Sequence, residues 1–599
     1  MKKALLLLLL SCSAFAQKPR KQTDRFAGLD TAFNRALKDW KAAGFAVAVV
    51  EKGQVVYAKG FGYRDVNKKL PVTPQTLFAI GSCTKAFTSS LVGLLEKEGK
   101  VDLDKPAHTY LPELTFAQES LTKQVTLRDM MCHRTGLPRY DLSWYLNAGS
   151  RDSLLARIAF MEPTAPLRQT WQYNNFMFLA QGSLTEKLWG KSWEDNVREK
   201  LFQPLAMNTS GFSLADFRKS TDASLGYAEV SEKDTKPLDY YPIVGMGPAG
   251  SINSNVLDMA QWLRLWIAGG KLDGKEILPA GYVREAMSPQ MTMGGGVPDK
   301  SQPGLSFSDY GFGWMLSSYK GHYRVEHGGN IDGFSASTSF FPTDSLGIVV
   351  LSNQSNSAVP GIIRNLIADR LLKLGYQDWN GARLAVIRKA RKDEESVQSV
   401  DLEKKGTRPS HAAADYTGNF HSGAFGTFQV LAKGDSLFLQ TRREKFWLRH
   451  KQYDVFQPIS IRPKIDTTDK GSIRLQFQTG VTGDIESFLG YGLEAADKPF
   501  TFTRVPVVQQ LTADDLKKYT GEFLLAGMTI KSYIKNDHTL YLFVPGQPEY
   551  ELASTGKDQF KLIKLDGYSA RFEVPDGKEA ASVTFIQPNG NFKAVRKTK

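Results

Sequence analysis

The sequence is poor in cysteine and histidine, which limits the chemistry open to it. Its 599 residues include three Cys and eight His. Beyond the first 16 residues, Cys83 and Cys132 are too few for a disulfide framework in a chain of this length. The pattern leaves open one bridge between them or two buried thiols. The His-Glu-x-x-His pattern and Cys/His clusters are absent, so we expect neither a metal site nor a cofactor.

Long hydrophobic runs are also missing. No stretch reaches the ~20 apolar residues that a membrane-spanning helix needs, so we predict no transmembrane helix. The N-terminus has a charged start, Met1-Lys2-Lys3, a short leucine run, Leu5–Leu10, and a small-x-small site, Ala14–Ala16. This order is typical of an export signal. We predict that residues 1–16 are a signal peptide and that the mature chain is exported, either periplasmic or extracellular.

A lipid anchor is the alternative fate of this segment. Leu10-Ser11-Cys12 resembles a weak lipid-attachment box, in which Cys12 would become the lipidated first residue. Lipidation would tether the chain without changing its fold.

Charge of one sign is not concentrated anywhere in the chain. Lys plus Arg number 76 against 62 Asp plus Glu, which gives a net charge of +14. Basic residues are scattered among acidic ones, as in the run 389–395, and no basic-aromatic signature of nucleic-acid binding appears. We therefore expect no nucleic-acid partner. The apolar share of 42% is enough to fill several cores and excludes wholesale disorder.

The first two thirds of the chain have the pattern of an α+β domain. Helical periodicity and caps dominate from about Ser82 to Trp266. Strand-like runs flank this region on both sides, at Phe45–Val50, Gln54–Phe61, Tyr323–Glu326, Phe334–Phe341 and Leu346–Leu351, and an amphipathic helix follows at Ile362–Leu374. We predict one domain over 17–376: an antiparallel sheet assembled from both chain ends, flanked by helices, with a helical insertion between.

The remainder is β-rich and contains an internal repeat. The charged composition of 377–410 predicts a linker. Beyond it, Tyr416-Thr417-Gly418-Asn419-Phe420 recurs as Tyr519-Thr520-Gly521-Glu522-Phe523, a shift of 103 residues. Dense short strands in each copy predict two small all-β units, barrel-like or sandwich-like, at 411–507 and 508–599.

The sharpest chemical signal is a serine followed three residues later by a lysine. Gly81-Ser82-Cys83-Thr84-Lys85 directly precedes a run with helical apolar spacing. Positions three apart share a helix face, so Ser82 and Lys85 would meet, and an amine beside a hydroxyl can take its proton. Ser82 would also lie near the helix N-terminus, where N–H groups favour a developing oxyanion. Taken alone, the Ser-x-x-Lys spacing also fits an ordinary serine and lysine on the surface of a helix.

Two further segments carry polar groups suited to catalysis. In Trp171–Phe176, a phenol at Tyr173 and an amide at Asn175 stand two residues apart before an apolar run. They could relay a proton and hydrogen-bond a substrate, although an aromatic residue packing on a core has the same pattern. In Glu326-His327-Gly328-Gly329-Asn330, glycines let a substrate backbone approach a strand edge, although a β-bulge would also contain them.

Together and in this order, the three segments resemble the serine β-lactamase and penicillin-binding protein superfamily. The class C-like branch, with Tyr-x-Asn as its middle motif, is the most similar. Met131–Leu137 and Pro248–Ile252 also resemble segments of that branch, and the resemblance covers about Thr31–Leu374. It implies a β-lactamase/transpeptidase-like catalytic domain. The two repeats resemble the lipocalin-like accessory β domains of several peptidases of this branch.

The resemblance implies roles for individual residues. Ser82 would be the acylated nucleophile, and Lys85 and Tyr173 would share general base and acid duty. Asn175, His327, Gly328, Gly329 and Asn330 would bind substrate, with the backbone N–H groups of Ser82 and Asn330 forming the oxyanion hole. His327 departs from the family pattern, which has Lys there. A His can be neutral at pH 7, so strong recognition of a substrate carboxylate at this position is in doubt.

The function implied is hydrolysis of an amide or ester bond in a small or peptide-like substrate through an acyl-serine. Members of the branch act on lactams, D-peptides or esters, and the sequence does not choose among them. Two alternatives stay open: an acyltransferase that uses the same acyl-enzyme, and a penicillin- or peptide-binding sensor without turnover. The sequence lacks the Gly-x-Ser-x-Gly motif, which argues against an α/β-hydrolase. The β units would either cover an apolar face or narrow access to the site.

Overall fold

A computed structural model describes residues 25–599 apart from 232–233, 241, 295–303, 305, 397–402, 462–470, 482, 497, 506–510, 536–538, 564, 566–567, 577, 588–589 and 598–599. The predicted signal peptide and Cys12 lie outside the described residues. The described parts of 1–101, 185–242 and 247–398 form one compact unit, and those of 102–184, 243–246 and 399–599 form a second. Among the described helices, none combines the length and hydropathy of a membrane span.

The first unit is built on an antiparallel sheet made from both ends of the predicted domain, as the sequence indicates. Nine described strands form it, in the spatial order Met291–Thr292, Ser308–Tyr310, Met315–Tyr319, His322–Ile331, Phe334–Phe341, Leu346–Ser352, Gly44–Glu51, Gln54–Asp65 and Leu70–Pro71. The pairing of Val47 with Val350 joins the N-terminal hairpin to the C-terminal strands. The predicted hairpin and the three later strands are therefore confirmed.

Helices cover one face of this sheet. Leu29–Asp39 and Val359–Leu371 bury their apolar sides against it. Phe33 packs edge-on against Phe45 and Phe61, with ring centroids 5.9 and 5.3 Å away. Such aromatic pairs each contribute about 0.5–1.5 kcal/mol beyond their burial.

The opposite face is covered by the helix Val256–Ile267, against which the helix Lys85–Lys97 packs. Asn255 caps the second of these by accepting from the backbone N–H groups of Leu257 and Asp258. Trp262 of this helix stacks on Phe87 with centroids 3.9 Å apart. Covering both faces explains why nearly all of Gly44–Glu51 is buried. The helix that begins with Lys85 is thereby held rigidly against the core.

The rest of the first unit consists of short elements. Its other helices are Asn175–Trp189, which starts in the second unit, Trp193–Val197, Leu214–Lys219, Gly247–Gly250, Ala280–Ala286 and Trp379–Ser396, with tighter turns at Gly81–Thr84 and Pro342–Asp344 and a π-turn at Arg198–Phe202. Two-stranded sheets pair Phe78–Ala79 with Asn253–Ser254, Gly226–Ser231 with Asp234–Leu238, and Lys271–Leu272 with Lys275–Glu276.

The charged segment predicted to be a linker contains the helix Trp379–Ser396. Ala, Leu, Arg, Lys and Glu have high helix propensity, so a polar composition does not exclude a helix. Its first residue, Trp379, donates from its indole to Asp369, 2.8 Å away. This contact attaches the start of the segment to the first unit.

The second unit begins with short helices. They are Glu119–Gln124, Leu127–Met131, Asp141–Leu146, Arg151–Leu155 and the start of Asn175–Trp189, with 3₁₀ turns at Ala107–Thr109, Ala156–Phe160 and Val244–Met246. A buried carboxylate organises this region: Asp129 accepts from Arg134 and Arg168 at 2.6 and 2.8 Å. These hydrogen bonds outweigh burial and lower the pKa of Asp129.

Two closed barrels complete the second unit, which confirms the predicted fold class. The first barrel has eight described strands: Gly418–Ser422, Gly426–Lys433, Ser436–Gln440, Lys445–Gln452, Val455–Ser460, Arg474–Thr479, Ile485–Tyr491 and Phe500–Val505. The second barrel also has eight: Gly521–Leu525, Met528–Lys535, Thr539–Phe543, Tyr550–Gly556, Gln559–Leu562, Ser569–Glu573, Ser582–Gln587 and Gly590–Arg596. The turn Ala413–Tyr416 and the helix Ala513–Lys517 precede them.

The sequence repeat corresponds to a repeated hydrogen bond. The Tyr416 hydroxyl donates to Asp454 in the first barrel, and the Tyr519 hydroxyl donates to Asp558 in the second, 2.8 Å away. Both rings are buried. In each barrel the bond therefore joins the segment before the first strand to the turn before the fifth.

We predict that Tyr416→Phe and Tyr519→Phe each destabilise only their own barrel. Loss of a hydrogen bond to a carboxylate costs about 1.5–3 kcal/mol. Peptide-resolved hydrogen exchange of the full chain would measure the loss of protection in each barrel. Tyr491→Phe is the control, since its hydroxyl meets Gln476 at the exposed surface. Wild-type protection in both variants would contradict the prediction.

Candidate active site

The Ser-x-x-Lys pair lies where a tight turn runs into a helix. Ser82 belongs to the turn Gly81–Thr84, and Lys85 begins the helix that follows. The Lys85 Nζ donates to the Ser82 Oγ, 3.1 Å away, and to the carbonyl oxygen of Ala249, 2.8 Å away. Lys85 is completely buried, whereas Ser82 is partly exposed. An amine is therefore in place to exchange a proton with an accessible hydroxyl.

A strand passes very close to the backbone of Ser82. A methyl group on Gly329 would lie 1.9 Å from the carbonyl oxygen of Ile80 and 3.1 Å from the backbone nitrogen of Ser82. Only glycine allows this approach, and Asn330 follows it in the strand His322–Ile331. The two backbone segments predicted to supply oxyanion donors are thus adjacent.

His327 lies on the same strand but faces inward. Its side chain is 1% exposed, and its Nε2 lies 2.8 Å from the Tyr310 hydroxyl. Its Nδ1 lies 2.6 Å from the carbonyl oxygen of Gly328. A carbonyl only accepts, so we assign the proton to Nδ1, and Tyr310 then donates to Nε2. Burial and the charge of Lys85 lower the pKa of His327 to about 4.

His327 is therefore neutral at pH 7 and offers no cation to a substrate. Because burial keeps the imidazole neutral, this position lacks the positive charge that would recognise a substrate carboxylate. Gly328 and Asn330, by contrast, are exposed on the strand. The Asn330 Oδ1 accepts from the Ser335 hydroxyl, 2.7 Å away.

Tyr173 and Asn175 lie together in the second unit, at the start of the helix Asn175–Trp189. Asn174 between them accepts from the backbone N–H of Met177 at 3.2 Å, which caps the helix. The Tyr173 ring packs 4.4 Å from the His133 ring, centroid to centroid.

The side chains that hold this pair, Arg139 and Asp141, lie outside the motifs predicted from the sequence. The Arg139 guanidinium lies over the Tyr173 ring, 4.7 Å from its centroid. The Asp141 Oδ1 accepts from the Asn175 Nδ2 at 2.8 Å, and its Oδ2 accepts from the Arg139 Nε at 2.7 Å. Neither residue belongs to a recognisable motif. The sequence signal near them is the turn-forming Gly136-Leu137-Pro138, which directly precedes Arg139.

Both cysteines are free and buried, so the thiol alternative is correct for Cys83 and Cys132. The Cys83 Sγ donates to the carbonyl oxygen of His327, 3.2 Å away. Burial raises the pKa of the Cys83 thiol to about 11, which makes it a poor nucleophile at pH 7. Throughout the part of the chain that the structure describes, no three His, Cys, Asp or Glu side chains cluster as metal ligands.

The sheet with its covering helices and the Ser82–Lys85 pair define the class of this protein, a serine hydrolase. A family model described as Beta-lactamase matches residues 29–372, more than half of the chain, and the chain belongs to this family. Residues 402–504, which include most of the first barrel, match a model for a domain of unknown function, DUF3471.

Similar proteins come from fungi, bacteria and archaea. An unguisins hydrolase of Aspergillus campestris is 29% identical over 437 residues, which cover 69% of this chain and 79% of the relative. Protein flp of Staphylococcus aureus is 22% identical over 353 residues, 58% of this chain and 67% of the relative. The octameric penicillin-binding protein homologue of Pyrococcus abyssi has a TM-score of 0.52 at 21% identity, covering 88% of this chain and 99% of its own. At this identity, the similarity to the Pyrococcus abyssi structure is evidence for the fold alone.

We predict that Gly329→Ala destabilises the first unit by about 1–3 kcal/mol, because the added methyl overlaps the backbone of Ile80. Thermal unfolding of the full chain would measure the change. Gly328→Ala is the matched control, since its methyl would meet nothing nearer than an oxygen 3.6 Å away. Equal melting temperatures for the two variants would refute the close approach.

We also predict that His327 lowers stability in mild acid. Its folded pKa of about 4 lies below its ordinary value of 6.5, so the unfolded chain binds the proton more readily between these values. Stability is then lost as pH falls from about 6.5 towards 4, by about 2 kcal/mol at pH 4.5. Urea unfolding of wild type and His327→Gln at pH 7 and 4.5 would show a shallower loss in the variant. Identical losses would disprove the effect.

Proposed function

We propose that this protein is an exported serine hydrolase that cleaves an amide or ester bond of a small or peptide-like substrate through an acyl-Ser82 intermediate. The observation that carries the proposal is the buried Lys85 amine, 3.1 Å from the partly exposed Ser82 hydroxyl. A weak alcohol nucleophile needs such a base.

In this mechanism Lys85 and Tyr173 share the proton transfers. The Ser82 Oγ loses its proton and bonds to the substrate carbonyl carbon, while the backbone N–H groups of Ser82 and Asn330 stabilise the oxyanion. The tetrahedral intermediate collapses, and the departing amine or alcohol takes the proton. Water, activated by the same groups, then attacks the ester and releases the acid and free Ser82.

The neutral His327 favours substrates without a carboxylate at that position. An internal amide or an ester meets this condition without requiring a cation from the strand. The Aspergillus campestris relative, named as a hydrolase of unguisins, supports hydrolysis over binding alone. Export is supported by the charged, apolar and small-x-small order of residues 1–16.

We expect a fluorophosphonate to add to Ser82, and a short-chain nitrophenyl ester to be turned over. Intact-protein mass spectrometry with peptide mapping would locate the adduct, and a penicillin would be run in parallel to sort lactamase from esterase or peptidase activity. Ser82→Ala should lose both adduct and turnover, because it removes the hydroxyl that lies 3.1 Å from the Lys85 amine.

Cys83→Ala is the matched control for this experiment. The Cys83 thiol is adjacent in sequence but points to the carbonyl of His327, so this variant should keep the Ser82 adduct. An unlabelled Ser82 in the wild type, with every probe, would reject the proposal. A stable adduct without turnover of any probe would instead favour a sensor, and ester transfer to an added alcohol would favour an acyltransferase.

A further inference from the structure

One carboxylate joins the two residues of the Tyr-x-Asn motif. Asp141 holds Asn175 through one oxygen and Arg139, which covers the Tyr173 ring, through the other. Because a carboxylate only accepts, Asn175 must turn its NH₂ group towards Asp141. The Asn175 carbonyl oxygen then points the other way. Asp141 therefore fixes the orientation of the Asn175 amide, with the NH₂ group towards Asp141 and the carbonyl oxygen away from it.

The segment that carries Asp141, residues 139–147, is bound along its length by the first barrel. Three turns of the barrel make these contacts. The hydrogen bonds run from the Tyr140 N–H to the Glu494 carboxylate, from the Ser143 hydroxyl to the Ala424 oxygen at 2.5 Å, from the Asn147 Nδ2 to the Phe425 oxygen at 3.0 Å, and from the Arg443 N–H to the Leu146 oxygen at 3.2 Å.

Tyr140 is held in an unfavourable backbone conformation at the centre of this contact. Its φ of 51° lies in the left-handed region, which costs energy for a residue with a side chain. The Tyr140 ring is completely buried, with centroids 5.9 Å from Phe425 and 5.7 Å from Phe500 of the barrel. Tyr140 stands between Arg139 and Asp141, so the barrel contacts that hold it also set the direction of both neighbours.

The fit between the barrel and this segment is as close as in a protein core. A methyl group on Gly426 of the barrel would lie 2.3 Å from the Asn147 Nδ2. Ser143 and Asn147 are both buried. Polar groups buried in this way must keep their partners, because an unpaired one is costly. A small displacement of the barrel would therefore be transmitted to residues 139–147.

We propose that the first barrel is part of the catalytic machinery: it positions the Tyr173–Asn175 motif through residues 139–147, with Asp141 and Glu494 as positioning residues. The proposal rests on the proposed function, in which Tyr173 moves protons and Asn175 binds substrate. It assigns the barrel a role beyond covering an apolar face. Misplacement of a binding group by about 1 Å can cost on the order of a hundredfold in rate.

The test uses substitutions in the full-length protein. Glu494→Ala removes the acceptor for the Tyr140 N–H, whereas Glu494→Gln keeps an oxygen that can accept this hydrogen bond. Asp141→Asn keeps the shape of the side chain but allows Asn175 to turn over and releases Arg139. Glu486→Ala, which removes an exposed carboxylate from the same barrel, is the control. Each variant is assayed for ester hydrolysis, for the rate of fluorophosphonate labelling at Ser82, and for thermal stability.

We expect Glu494→Ala and Asp141→Asn to lower kcat/KM about ten- to a hundredfold, mainly through kcat, at temperatures well below unfolding. Glu494→Gln should recover most of the activity, and Glu486→Ala should match wild type. Wild-type kcat/KM in both Glu494→Ala and Asp141→Asn would overturn the proposal, as would a lower melting temperature with unchanged kinetics. Failure of the wild type itself to label at Ser82 would reject the proposed function instead.

Discussion

Burial of the Lys85 amine places a strict demand on its surroundings, because a polar group removed from water must find hydrogen-bond partners in the protein. Its partners include the Ser82 hydroxyl and the carbonyl of Ala249, which come from two separate parts of the first unit. The helix that carries Lys85 is in turn fixed by the stack of Phe87 on Trp262. The Ser82 hydroxyl and the Lys85 amine are therefore oriented by the core, before any substrate arrives.

The same region explains an unusual feature of the strand beside Ser82. Gly329 allows contact with the backbone of Ile80, and His327, two residues earlier, is buried against Tyr310. Where the related superfamily has a lysine, this chain has a neutral imidazole that stabilises the strand internally. In the proposed mechanism the strand would therefore act through its backbone N–H groups, and the neutral imidazole adds no positive charge for selecting a substrate.

Much of the fold was predictable because it depends on local patterns. Short β-rich runs predicted the hairpin and the strands of the sheet, and the repeat at a shift of 103 residues predicted two similar β units. The helix Trp379–Ser396 was not predicted, since charge density indicates exposure and does not distinguish a helix from a linker. Asp141 was also missed. Its partner Asn175 lies 34 residues away, and no spacing rule connects a carboxylate to an amide over that distance.

The sequence by itself determined the nucleophile and its base as candidates, since residues three apart on a helix must share a face. It also determined the order of the three motifs, which indicated the family. Only the tertiary structure decided which way each side chain points: His327 inward to Tyr310, Cys83 to a backbone carbonyl, and Asn175 to Asp141. These orientations depend on burial and on partners distant in the chain. Local sequence contains neither, because both arise when separate segments pack together.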